Sequence, residues 1–297
     1  MYVNFLRYRK IYYIFSGILI GGSILSLIVF GLNFGIEFTG GSLLELEYIE
    51  ARPSNQDINQ SLSDLDLGSL STQPTDEKGV ILRMRDIDEK THQEVIQKLS
   101  KDGEIAIEEK RFESIGPVVG QELKDKIKVV IVVALISIVL YIAFAFRKVQ
   151  RPVSSFRYGI VTLIALFHDV LIPLGVLSIL GRYYDFQVTI PLIAALLAIL
   201  GYSVNDTVIV FDRIRENLLK RVGVSFEDTV NKSLNQTLSR SINTSFTTLL
   251  VVFAIFFFGG YTLKDFSLIM IIGISAGAYS SIFIASPLLV SWHQKSI

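Results

Sequence analysis

Cysteine is absent from the 297 residues. Its absence excludes disulfides, thiolate metal centres and a cysteine nucleophile. Histidine is scarce, and His92, His168 and His293 stand far apart with no metal-ligand spacing. Net charge is also missing: 28 basic residues balance 28 acidic ones. A balanced chain has no global basic field to attract nucleic acid. No Gly-rich segment is followed by Gly-Lys-Ser/Thr, so there is no phosphate-cradling loop.

What the chain does have is apolar length. Hydrophobic residues make up 51% of it and the mean hydropathy is +0.49, which excludes an ordinary soluble enzyme domain. The apolar residues collect in runs of roughly 20, the length a helix needs to cross a bilayer core. Six spans are predicted, at 12–32, 129–146, 158–180, 188–211, 241–258 and 266–290. Within them only Asp169 and Asp206 carry formal charge, and Arg240 sits at one border. The first run is too long for a signal-peptide core and no small-residue cleavage site follows, so it reads as an uncleaved anchor.

Orientation follows from the basic residues of the short loops. Arg7, Arg9 and Lys10 precede the first span, and Arg147, Lys148, Arg151 and Arg157 follow the second. Arg213, Arg215, Lys220, Arg221, Lys232 and Arg240 lie after the fourth, and Lys295 lies in the tail. Opposite them stand only Arg182 and Lys264. The bias places both termini, and a loop at 212–240, in the cytoplasm. Residues 33–128 then lie outside, because a domain of that size translocates whatever its charge.

That domain reads as strand 42–49, helix 54–65, strand 79–85, helix 90–99 and strand 104–112, from alternation in the strands and helical spacing in the helices. The order suggests a small α+β sandwich with helices on one face of a sheet. The expected architecture is therefore an α-helical polytopic membrane protein: a first helix through residue 32, this extracytoplasmic domain, and a five-helix bundle over 129–297. The carboxylates of the domain, Asp86, Asp88, Glu108 and Glu109 among them, form no catalytic constellation and read as a solvated acidic face.

Two Gly-rich segments bracket the domain and read as hinges: Gly35, Gly40 and Gly41 on one side, and Gly116, Pro117 and Gly120 on the other. The informative stretch is LGYSVNDTVIVFDRIREN, 200–217. An Asp within a membrane helix costs about 2.5–3.5 kcal/mol on insertion scales and often marks an ion path. Asp206 has that place, with Ser203 and Asn205 beside it; the alternative is a structural Asp paired to a neighbouring span. The fifth span has a short apolar part, and counting about 20 residues back from Phe258 puts Arg240 at the hydrocarbon edge. That is close to the depth of Asp206. Arg240, Asn243, Thr244 and Thr247 share one helix face, which should turn to Asp206 or to a partner subunit rather than to lipid. Arg240 could equally be a snorkelling anchor. His168-Asp169 lies mid-span, as a further relay or a structural polar pair. Small residues recur every four positions at Gly273, Gly277, Ser281 and Ala285, and again at Gly17 and Gly21, as in close-packed membrane helices.

GIEFTGG after the first span, GPVVGQEL before the second, GYSVNDTVIVFDRIREN in the fourth and LNQTLSRSINTS at the fifth together resemble the SecF family of protein-export membrane proteins, in the Sec branch of the resistance-nodulation-division superfamily. The resemblance runs in order over nearly the whole chain. It implies a subunit, not an enzyme, that pairs with SecD beside the SecYEG channel of the inner membrane and acts on emerging preprotein. It implies no cofactor, but coupling to a proton gradient, or to sodium in some relatives. The family's transmembrane Asp and Arg fall on Asp206 and Arg240, and a further essential Asp belongs to SecD. Two other readings stay open: a small-molecule or lipid exporter of the same superfamily, and a non-transporting scaffold.

Overall fold

The computed structural model describes residues 3–75, 77–145 and 153–294. In chain order these form α1 (Arg9–Phe30), a helical turn α2 (Ile36–Thr39), β1 (Gly41–Tyr48), α3 (Asn55–Ser61), β2 (Ser71–Thr75), β3 (Gly79–Met84), α4 (Glu89–Leu99) and β4 (Ile107–Ile115). The long helices follow: α5 (Pro117–Ala145), α6 (Ser155–Tyr184), α7 (Ile190–Leu219), α8 (Phe226–Phe258), α9 (Tyr261–Ser280) and, after a π-helical segment Ser281–Ala285, α10 (Ser286–Gln294). Two compact units result. Asn33–Val129 with Gln187–Ile190 make one, and the long helices supply the other.

Among the described residues five helical stretches are long and apolar enough to cross a membrane: Phe5–Phe30, Ser155–Tyr184, Ile190–Leu219, Phe226–Phe258 and Leu263–Gln294. The span expected at 129–146 falls in α5, which is not among these five; its residue 146 and the basic residues Arg147, Lys148, Arg151 and Lys295 lie outside the described residues. The segment 212–240, expected as a loop, is helical except at 220–225. α7 runs on to Leu219, and α8 begins at Phe226, where Ser225 accepts a hydrogen bond from the Asp228 backbone N–H. Glu227 and Asp228 in that first turn complement the helix dipole. Asn217 Nδ2 donates to Ser233 Oγ and Gln236 Oε1, both at 2.8 Å, joining the two helices near their turn.

In the smaller unit four antiparallel strands run in the order β2-β3-β1-β4. Alternate residues of the two central strands, Leu44, Leu46 and Tyr48 with Val80, Leu82 and Met84, point to one face. There they meet Ile58 and Leu62 around α3, and Val95 and Leu99 of α4. Both helices therefore cover the same face of the sheet, as expected. The sheet holds one strand more than expected. β2, STQPT, has no apolar alternation and contains Pro74, which an edge strand tolerates because one side of its ladder is unpaired. β4 starts at Ile107 rather than 104, because residues 101–104 form a turn.

In the larger unit small residues let helices approach. A Cβ at Gly175 of α6 would stand 2.4 Å from Ser23 Cβ of α1, and Ser26 Oγ donates to Gly175 O at 2.9 Å. Ser178 Oγ donates in turn to Ser26 O at 2.8 Å. Gly17 and Gly21 behave differently from the expected packing stripe: both are exposed, with nothing within 4 Å of an added Cβ.

Candidate functional site

α7 has one buried face, including Ile199, Ser203, Asp206, Thr207 and Val210. α9 approaches it through glycine. A Cβ at Gly273 would lie 2.2 Å from Ile199 Cδ1, and one at Gly277 would lie 3.2 Å from Ser203 Cβ. The expected close-packing stripe thus has a specific partner, and its continuation, Ser281 to Ala285, is the buried π-helical segment. Such segments are rare and are frequent at functional sites.

One turn past Gly277, Ser280 reaches the first of two buried carboxylates. Asp169 of α6 accepts from Ser280 Oγ at 2.6 Å and from Ser203 Oγ, and its other oxygen lies 2.8 Å from His168 Nδ1. Neither His168 nor Asp169 is more than 1% exposed. Three groups thus converge on Asp169. Four residues further on, Pro173 has no N–H to offer the Asp169 carbonyl, so the helix ladder is interrupted at this residue. Sequence reasoning put Ser203 beside Asp206 and missed Ser280, which only the α9 approach brings in.

Asp206 is the second carboxylate, 1% exposed. Ser245 of α8 donates to its Oδ2 at a long 3.4 Å, and its Oδ1 has no hydrogen-bond partner among the described residues. Asp206 is therefore level with Ser245. Arg240 lies five residues nearer the start of α8, about 7.5 Å along the helix axis, so the expected match of depth is displaced by more than a turn. No hydrogen bond or ion pair joins Arg240 to Asp206 among the described residues. Arg240 is exposed, in the wall of a cleft of about 550 Å³ with Tyr141, Asp212, Arg213, Arg215 and Glu216. The other cations there have partners: Arg213 Nη1 lies 2.6 Å from Glu216, and Arg215 Nη1 lies 3.7 Å from Asp212.

The polar stripe expected to accompany Arg240 faces outward with it. Asn243 and Thr247 are exposed, as is Asn205 on α7, and Thr244 is half-buried. Thr244 and Thr247 donate to carbonyls of their own helix, at 2.8 Å to Arg240 O and 2.9 Å to Asn243 O. Of the two destinations foreseen for this stripe, Asp206 is not the one it meets. The inward face of α8 carries Ser233, Thr237, Ser241 and Ser245 instead.

The two glycine segments meet in the smaller unit. Gly40 has φ +76°, and a Cβ there would stand 2.8 Å from Pro117 Cα. A Cβ at Gly120 would lie 3.0 Å from Gly40 N. Gly41, at φ +133°, lies against Met84 O, whereas Gly116 is not crowded. Gly35 donates its N–H to Val188 O at 2.9 Å, and Val188 N–H returns to Asn33 O at 2.7 Å. Glu37 lies beside this clip, its carboxylate against Gly35. Burial holds the Glu37 carboxyl above the usual carboxylate range; nearby Glu113 acts the same way, while backbone N–H groups of Glu37 and Ile190 and the charge of Arg111 oppose it.

Two family models match the chain. One, described as protein export membrane protein SecD/SecF, C-terminal, covers residues 94–295, and the SecD/SecF GG motif covers residues 25–48. The protein translocase subunit SecF of Thermobaculum terrenum is 41% identical over 304 residues, spanning 99% of this chain and 95% of that protein. The subunit of the same name from Anaerolinea thermophila is 36% identical, spanning 98% and 94%. The crystal structure of SecDF from Thermus thermophilus, a translocon-associated membrane protein, superposes with a TM-score of 0.86 at 31% identity. That match spans 99% of this chain and 39% of the SecDF chain. Identity of this extent, running through both the glycine knot and the helices that bury Asp206, makes the chain a member of the SecF family of protein translocase subunits.

Proposed function

We propose that this subunit works with a SecD partner beside the SecYEG channel, and that it uses the proton-motive force to complete preprotein export across the cytoplasmic membrane. The observation that carries the coupling is the contrast between the two buried carboxylates. Asp169 is met by three groups, whereas Asp206 has one long hydrogen bond and one oxygen with no donor. A buried carboxylate with so few donors bears a high cost for its charge, and a proton on Asp206 removes that charge. Asp206 is then the group that takes up and releases the ion, with Arg240 further along the route. One elementary charge crossing 100 mV supplies about 2.3 kcal/mol. A ligand or field biases two states of a protein by its differential free energy, so a few such charges suffice to move the smaller unit.

The uncovered polar positions Asn205, Arg240, Asn243 and Thr247 support a partner at this face, because lipid is a poor neighbour for them. In this arrangement α5 supplies the sixth span, both termini are cytoplasmic, and the 33–129 unit stands outside, where it can act on emerging preprotein. Gly35, Gly40, Gly41, Gly116, Pro117 and Gly120 form its articulation.

The test is translocation of a precursor after SecA-driven initiation, with and without a proton gradient, at matched protein levels. Asp206→Asn and Arg240→Met are expected to abolish the gradient response while leaving assembly with SecD intact. Arg240→Lys should be partly functional, since a point ammonium replaces a planar fork. A full gradient response in Asp206→Asn would make Asp206 structural and favour a scaffold. Repeating the assay with a sodium gradient identifies the coupling ion.

A further inference from the structure

The inward face of α8 carries a hydroxyl every four residues: Ser233, Thr237, Ser241 and Ser245, all buried. Four-residue spacing keeps them nearly in line and about 6 Å apart along the axis. At one end Thr237 lies in the wall of the cleft that holds Gln236 and Arg240. At the other end Ser245 donates to Asp206. The face therefore leads from an open cleft to the buried carboxylate.

The middle of the row differs from its ends. Ser233 and Thr237 give their hydrogens to backbone carbonyls one turn back, Thr229 O at 2.7 Å and Ser233 O at 3.0 Å. Ser241 Oγ has no hydrogen-bond partner among the described residues, and neither has Thr207 Oγ1 or Asp206 Oδ1 on α7. These three residues are at most 2% exposed. Each unmet buried group is costly, by roughly 1–3 kcal/mol. Hydroxyls that only packed two helices together would turn back onto their own carbonyls, as Thr237 does. Water answers such groups wherever a site is polar and offers two or more partners. The spacing fits: about 6 Å is the reach of two successive O–H···O bonds of about 2.8 Å, so one water spans each step.

We propose that this face is a hydrated proton path from the cleft to Asp206, with Ser241 and Thr207 as its water ligands. It rests on the reading of Asp206 as the ion-carrying residue. A proton enters at the cleft and passes from oxygen to oxygen, each water accepting one proton and giving up another. It ends on Asp206 Oδ1, and nothing is oxidised or reduced. Ser241 is the residue on which continuity depends, because among the described buried hydroxyls of α8 its oxygen is the one with no hydrogen-bond partner.

Water access is tested in the full-length protein assembled in membranes. The chain has no native cysteine, so Ser241→Cys introduces a single thiol. Silver ion, a water-borne cation, is applied from the cleft side, and the thiol that remains is alkylated after denaturation. Ser241→Cys is expected to lose its later alkylation. Val252→Cys, also buried on α8 but eleven residues further on and past Asp206, is expected to keep it. Retained alkylation at 241, or equal loss at 252, overturns the path.

Gradient-driven export supplies the second readout, with Asp206→Asn measured in parallel. Ser241→Val is expected to lose the gradient response and Ser241→Thr to keep it, because threonine retains the hydroxyl. If Asp206→Asn abolishes the response and Ser241→Val leaves it whole, the path is wrong while the role of Asp206 stands. If Asp206→Asn itself responds fully, that role fails, and the silver result still decides whether water reaches position 241.

Discussion

Glu37, in the turn after α1, reports on its surroundings through its own proton affinity. Its carboxyl lies against Gly35, beside the clip formed by Gly35 and Val188, and burial raises its affinity for a proton. A carboxyl whose folded pKa exceeds its unfolded value of about 4.3 binds more protons folded than unfolded. Its contribution to stability is therefore complete below the unfolded pKa and is lost as pH rises through the folded one. Glu37→Gln removes that loss. Hydrogen exchange at the amides of residues 33–40, compared over the weakly acidic to neutral range, should speed up with pH in the wild type beyond the intrinsic rate. Protection in Glu37→Gln should stay flat and be the greater at neutral pH. An identical profile in both proteins would show that Glu37 is already solvated.

Among elements, the glycine segments separate into those that need glycine and those that merely contain it. Gly40 combines a left-handed φ with a backbone contact, so a methyl group there meets both strain and the Pro117 Cα at 2.8 Å. Gly17 is exposed on α1 and meets nothing within 4 Å. Gly40→Ala is expected to destabilise the smaller unit by about 1–3 kcal/mol. Gly17→Ala should be neutral or stabilising by up to about 1 kcal/mol, since alanine is the better helix former. Thermal unfolding of the two purified variants, followed by circular dichroism, distinguishes them. Equal midpoints would mean that the knot between Gly40 and Pro117 yields easily, and its place in the articulation would lapse.

At the scale of the whole molecule, the decisive quantity is the side of the membrane on which each unit lies. Lys and Arg cluster around the α7–α8 turn and before α1, and the 33–129 unit follows α1 in the chain. Single cysteines placed by Asp64→Cys or Asp88→Cys should react in intact cells with a membrane-impermeant thiol reagent. Lys220→Cys, in the α7–α8 turn, should react only after the membrane is opened. The reverse pattern would overturn the orientation, and with it the cytoplasmic placement of the 212–240 segment.

The sequence alone determined what depends on local composition. Apolar runs of membrane length, the uneven distribution of Lys and Arg among the connecting segments, the period-2 strands β1 and β3 and the unusual placement of Asp169 and Asp206 are each properties of neighbouring residues. Four short motifs were enough to indicate the SecF family. β2 escaped because an edge strand carrying Pro74 has no buried face to impose alternation. The helical continuation to Leu219 and from Phe226 escaped because polar helix is not distinguished from loop by hydropathy. Contacts between helices lay further from reach. The polar stripe of Arg240, Asn243 and Thr247 and the hydroxyl row of Thr237, Ser241 and Ser245 occupy two faces of α8, and both are polar. Only the rotation of that helix about its axis decided which row met Asp206, and that rotation is set by many packing contacts at once. The same holds for Ser203 and Ser280, which meet at Asp169 because Gly273 and Gly277 let α9 close on α7.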